Sequence, residues 1–187
     1  MNADDRRVRK TKRALQRALA EAMADKDLRS ITVQELADRA DIHRATFYAH
    51  YHDVYDLYEQ LENSVMSELD KIIASDPKHR YDGIYEAVTD YVFENPALFR
   101  MLLGANGNAR FQNHAYELVE NKYLDIWLFE DHRTEISDEM RFLTAYHIQG
   151  CIAIISQWVN GNFSRPKEEI VELMRRVGDS FEQTLAE

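Results

Sequence analysis

One cysteine, three prolines and six glycines among 187 residues leave this chain little covalent stapling and little punctuation. The lone Cys151 excludes an intramolecular disulfide framework and suits a reducing compartment. No apolar run approaches the roughly 20 residues of a membrane span. The start, MNADDRRVRK, lacks the apolar core of a signal peptide, so no membrane partner and a cytoplasmic location are expected. There is no Gly-rich phosphate loop, no G-x-S-x-G, no H-E-x-x-H and no paired-cysteine motif, so neither an enzyme nor a cofactor is expected. Nothing alternates with period two over a useful length, nothing repeats, and no low-complexity linker interrupts the chain. With sheet patterning missing and 45% hydrophobic residues excluding global disorder, the expected class is all-α.

What is present concentrates between Ile31 and Tyr58, ITVQELADRADIHRATFYAHYHDVYDLY. Thr32 and Glu35 have the T-x-x-E spacing of a capping box, so a helix is expected to start there. Val33, Leu36, Ala37 and Ala40 fall on one face of it. Asp41-Ile42-His43 breaks the pattern, and a second helix is expected from about Arg44 to Tyr51. Ile42, Phe47 and Tyr51 can turn inward, leaving Arg44, Thr46, Tyr48 and His50 outward. Two short helices, the second presenting Arg, Thr, Tyr and His, fit a DNA-reading helix-turn-helix. Arg44 and Ala45 open that second helix, where N-terminal residues reach base edges.

The run TVQELADRADIHRATFYAHY resembles the DNA-binding region of the TetR family of one-component bacterial transcription regulators. The resemblance extends upstream to Thr11–Ala24 and downstream to Asp53 and Leu57, about the first third of the chain. It departs at Asp41-Ile42-His43, where the family often has Gly, an apolar residue and Ser, and at Val54, where a phosphate-contacting Lys is common. The resemblance implies that Thr32, Thr46, Tyr48 and His50 position the protein on the phosphate backbone of double-stranded DNA. It also implies that a small molecule bound farther along the chain releases a palindromic operator. Residues 1–53 are then a three-helix helix-turn-helix domain, and residues 54–187 a helical ligand-binding and dimerisation domain. The alternative is a TetR-like co-regulator or interaction protein with no operator binding of its own.

A formal charge of −10 looks wrong for a DNA partner until it is divided. Residues 1–52 carry eleven Lys or Arg against eight Asp or Glu, and six of those cations crowd into Arg6–Arg13. Phosphate contacts depend on charge within a Debye length of roughly 8–10 Å, so a local basic cluster outweighs the global sign.

Beyond Asp53 the pattern is helix after helix. Asp53 is placed to cap Val54 to about Ala74, with Leu57, Leu61, Val65 and Leu69 in register, and Ser75-Asp76-Pro77 ends it. Tyr81–Phe93 is expected to turn Ile84, Val88 and Tyr91 to one face, and Asn95-Pro96 opens a short helix that Gly104 closes. A turn at Asn106-Gly107-Asn108 precedes a helix to about Leu128, lined by Tyr116, Val119, Tyr123 and Ile126.

The last two helices, Ser137–Asn160 and Pro166–Ala186, suggest a homodimer. From Met140 to Trp158 the first is apolar on nearly every side, which demands burial all round. An isologous four-helix interface is expected, through Ile154, Trp158, Ile170, Leu173, Met174, Val177 and Phe181, against the simpler reading of a monomer core. Fifteen of the twenty aromatic residues lie beyond residue 75. Phe93, Phe99, Tyr116, Tyr123, Trp127, Tyr146 and Trp158 are candidates to line a cavity for a small apolar or aromatic effector, though aromatics at helical spacing are more often plain core. His147 and Cys151 share a helical face, but two ligands make no metal site unless His114 or His132 joins them, so no metal is expected.

Overall fold

The computed structural model describes residues 3–74, 81–104, 107, 109–129 and 135–186. The described residues form nine α-helices, one 3-10 turn and no strand, the all-α class expected. The helices are α1 Ala3–Asp25, α2 Val33–Arg39, α3 Arg44–Tyr48, α4 Val54–Ala74 and α5 Tyr81–Glu94. Then come α6 Pro96–Leu103, α7 Ala109–Phe129, α8 Asp138–Asn160 and α9 Lys167–Ala186. None is long and apolar enough to cross a membrane. The chain packs as two compact units, Met1–Val65 with Asn95–Asn108, and Met66–Glu94 with Ala109–Glu187. A boundary at residue 53 follows the helix-turn-helix; packing instead leaves the start of α4 in the first unit and adds α6 to it.

In the first unit α1 packs on α2 and α6, and α2 on α3. Leu15, Ala18, Leu19, Ala22 and Met23 make one buried stripe on α1, at the three- and four-residue offsets that put side chains on one face. Fully burying a large apolar side chain is worth about 1.5–3 kcal/mol, so this stripe holds the short α2, on which α3 packs in turn, both being too brief to persist alone. Asp53 caps α4 as its spacing indicates, Oδ1 accepting from the Asp56 N–H at 2.8 Å. Phe99, Met101 and Leu102 of α6 are fully buried in this unit.

In the second unit α5 and α8 both pack on α9, and α7 on α8. The buried face of α5 is Tyr85, Thr89 and Val92, one position on from the expected Ile84, Val88 and Tyr91, which are half-buried. Apolar periodicity misplaces the face because the two inward polar side chains are satisfied. The Thr89 hydroxyl donates to the Tyr85 carbonyl at 2.6 Å, and the Tyr85 hydroxyl lies 3.1 Å from His147 Nε2. The Ser137 hydroxyl accepts from the Met140 N–H at 3.2 Å and starts α8.

Cover from its own chain does not reach all of α8: Phe142 is 77% exposed and Tyr146 79% exposed. Hydropathy alone does not separate this outward pair from the buried Met140, Ile148, Ile155 and Val159. After α8, Asn162 adopts the left-handed conformation (φ 56°). The Phe163 N–H then bonds the Trp158 carbonyl at 2.9 Å and the Asn162 N–H the Val159 carbonyl at 3.1 Å, the two bonds of a Schellman end. The Phe163 ring closes edge-on against Trp158, 4.9 Å between centroids, and the Trp158 indole N–H donates to the Arg165 carbonyl at 2.9 Å.

Candidate nucleic-acid interface

Thr32 begins the interface as the N-cap of α2, its hydroxyl accepting from the Glu35 N–H at 3.2 Å. Only half of the expected capping box forms. The Glu35 carboxylate turns to Lys26 Nζ at 2.6 Å and Arg39 Nη2 at 3.2 Å, and hydrogen bonding from Lys26 holds its pKa below the usual carboxylate range. Those two cations are thereby engaged within the protein. The turn to α3 is a second Schellman end: Asp41 takes φ 53°, Ile42 N–H bonds Ala37 O at 3.0 Å, and Asp41 N–H bonds Asp38 O at 3.2 Å. Such a turn asks for glycine, and aspartate is among the few other residues that tolerate it.

The second helix is shorter than expected, Arg44–Tyr48, and closes through a tight His50 N–H to Phe47 O bond at 2.9 Å. Phe47 is fully buried and wedges α3 in place, its ring 5.6 Å from Tyr48 and 5.7 Å from Tyr51. Opposite that wedge, Arg44, Ala45 and Tyr48 are exposed, Tyr48 by 51%, and Thr46 and His50 are half-buried. Arg44 Nη2 donates to the Tyr48 hydroxyl at 3.2 Å, with its guanidinium 5.8 Å from the ring centroid. Lys12 of α1 lies 5.8 Å from the Tyr51 ring centroid, bringing part of the basic α1 cluster to the end of this motif. The exposed row presents a cation, a methyl group and a phenolic hydroxyl along α3, the chemistry that reads base edges and holds phosphates.

The residues expected to line one effector cavity are divided between the two units. Phe99 is core of the first unit, whereas the others belong to the second. Phe93, 50% exposed, stacks on buried Trp158 at 5.9 Å. Tyr123 is buried in a cluster with Met140, Ile148 and Phe181, against which Tyr116 packs, while Tyr146 points outward. The side chain of Trp127 lies outside the described residues, as do His132 and Ser75-Asp76-Pro77. Of the expected dimer residues, Trp158, Ile170, Met174 and Phe181 are already buried by their own chain, and Ile154, Leu173 and Val177 are half-buried. His147 Nε2 and Cys151 Sγ lie 3.9 Å apart, and no group of three metal-ligating side chains occurs among the described residues.

The family model for a TetR-type transcriptional regulator C-terminal region matches residues 80–179, more than half of the chain. The chain belongs to the TetR family of transcriptional regulators. It is similar to an uncharacterised HTH-type transcriptional regulator of Bacillus subtilis, YxbF, 38% identical over 76 residues. That stretch covers 39% of this chain and spans only 20% of the relative's length. Among solved structures, a TetR-family regulator from Streptomyces coelicolor superposes with TM-score 0.68 at 18% identity, covering 100% of this chain and 82% of that one. The fatty acid degradation regulator FadR from Bacillus halodurans does so with TM-score 0.66 at 15% identity, over 91% and 94% of the two chains. The dihydroxyacetone kinase operon activator DhaS matches with TM-score 0.60 at 19% identity, over 93% and 95%. At these identities the likenesses establish a shared fold.

The chain carries its two departures from the family pattern without losing the helix-turn-helix geometry. Asp41 supplies the left-handed residue that glycine often supplies, and Val54 is buried and so cannot take the phosphate-facing place of a lysine. Tyr55, 54% exposed in the first turn of α4, is not among the residues expected from the sequence, and Lys12, one cation of the Arg6–Arg13 cluster, lies beside Tyr51. Tyr55 follows Asp53-Val54 where the helical register turns outward, a signal that was available; Lys12 is one cation among many until the fold selects it.

Proposed function

We propose that this TetR-family regulator is a homodimeric repressor. In this reading α3 of each protomer reads one half-site of a palindromic double-stranded operator, and a small apolar or aromatic effector held in the second unit releases it. The observation that carries the DNA-reading role is the exposed row Arg44, Ala45 and Tyr48 on a helix seated by fully buried Phe47. Arg44 addresses a base edge, where its fork suits guanine O6 and N7. Thr32, Thr46, Tyr48 and His50 hold phosphate oxygens and set the register.

The second copy docks on the open face of α8, where Phe142 and Tyr146 continue into Gly150, whose missing side chain would meet nothing within 4 Å. Such an outward aromatic pair is apolar surface that a lone protomer leaves wet, and a two-fold axis covers it with its own copy. Effector release requires only that the ligand bind one arrangement of the dimer better than the other.

A gel shift with DNA from upstream of the protein's own gene, at two salt concentrations, tests the reading. A sequence-specific shift that weakens as salt rises is expected. Equal binding to all sequences, or none at low salt, overturns operator reading and favours a co-regulator.

A further inference from the structure

We propose that His147 is the polar anchor of a small-molecule site in the second unit, taking an uncharged ligand with an apolar body and a single hydroxyl or carbonyl group. This deepens the effector reading above and rests on it for its regulatory meaning.

His147 sits mid-way along α8 and is 2% exposed. Its two nitrogens are treated differently. Nε2 lies 3.1 Å from the Tyr85 hydroxyl and 3.9 Å from Cys151 Sγ, whereas Nδ1 is buried with no hydrogen-bond partner. A neutral imidazole has one donor and one acceptor nitrogen. With Nε2 engaged, Nδ1 is either an unpaired N–H or an unpaired lone pair, whichever tautomer is present. A buried polar atom left in that state is destabilising, and a hydrogen bond from a ligand relieves it. The ring is also held in one orientation: it stacks on Phe181 at 4.4 Å and 8° and meets Tyr123 edge-on at 6.0 Å. Tyr85 reaches it because α9 has Gly178, where a Cβ would lie 2.6 Å from the Tyr85 hydroxyl. Three helices thus fix one edge of the imidazole and leave the other edge's polar atom unspent.

The surroundings select the ligand. Phe181 and Tyr123 belong to a cluster with Met140 and Ile148, and Tyr116 and Leu143, packed against it, remain partly exposed, so the cluster reaches solvent beside α7 and α8. None of these side chains offers a cation to a carboxylate. Burial pulls the His147 pKa down to about 4, so the imidazole is itself uncharged at neutral pH. A covalent sensor at Cys151 is not supported, because burial pushes that thiol up to about 12 and removes the thiolate.

The test uses the full-length protein with thymol, its hydroxyl-free analogue para-cymene and the carboxylate cuminate, measuring affinity by titration calorimetry. Side-chain NMR of isotope-labelled histidine follows Nδ1 during the same titrations. Wild type is expected to prefer thymol to para-cymene by roughly two- to tenfold, the worth of one neutral hydrogen bond, and to reject cuminate. His147→Phe, which retains an aromatic ring against Phe181, is expected to lose the preference. Thymol is expected to shift the Nδ1 resonance in the unmodified protein, a readout that stands even if the variant folds poorly. No binding, equal binding of thymol and para-cymene, a preference kept by the variant, or an Nδ1 resonance indifferent to thymol each overturns the proposal. The last outcome would assign Nδ1 to a structural water. A gel shift with thymol separates the two readings: binding at His147 without DNA release keeps the site and ends the effector role.

Discussion

Acidification should weaken this fold through one residue in particular. Burial lowers the His147 pKa from 6.5 to about 4, whereas in the unfolded chain the imidazole titrates at its ordinary value. On acidification the unfolded state therefore takes up the proton first. The contribution of neutral His147 is fully present above pH ~6.5, falls as pH drops through the window between the two values, and is exhausted below about 4. A difference of two to three pKa units corresponds to about 3 kcal/mol, of which about 2 is lost by pH 5. Against a net stability of about 5–15 kcal/mol this is a large fraction. Urea unfolding of wild type and His147→Phe, followed by tryptophan fluorescence at one protein concentration, isolates the effect because exposed carboxylates titrate alike in both. The stability difference should move by about 3 kcal/mol against wild type between pH 7 and pH 4, with matching m-values. Parallel pH profiles, or a wild-type loss confined to pH above 6.5, would refute the reasoning.

Four further outcomes follow from the geometry. Arg44→Ala should relax specificity at one base pair per half-site and cost about 1–3 kcal/mol per contact; equal loss on every sequence in a binding-site selection would make Arg44 a phosphate contact. Tyr48→Phe removes the hydroxyl proposed to hold a phosphate and the acceptor of the Arg44 bond, so specific and non-specific affinity should fall together in fluorescence anisotropy. Asp41→Gly should stabilise the first unit by up to about 1 kcal/mol, and Asp41→Val should cost about 1–2 kcal/mol, by thermal unfolding, since position 41 is left-handed; two neutral variants would deny that conformation. Phe142→Asp with Tyr146→Asp should yield monomers in sedimentation with helicity unchanged, because both side chains are exposed on the protomer. Placing the charge at Phe181 would instead strike the stacked core of a single chain and could not report on an interface.

What the sequence by itself determined is local. Thr32, Asp53 and Ser137 announce helix starts, because a cap is a bond between residues three apart, and α4 runs from Val54 to Ala74 as its spacing indicated. The break at Asp41-Ile42-His43 and the buried Phe47 beneath an outward Arg44 and Tyr48 were equally legible, since one short helix fixes which side chains oppose each other. Tertiary structure decided the rest. Tyr85 turns inward because of a histidine 62 residues away, and Thr89 faces Met174 across 85 residues. Phe99 went to a different unit from the aromatics it was grouped with, and the stripe Ile170, Met174 and Phe181 was consumed inside the protomer while Phe142 and Tyr146 were left outside. Hydropathy states that an apolar face must be covered; only the packing of distant segments states by what.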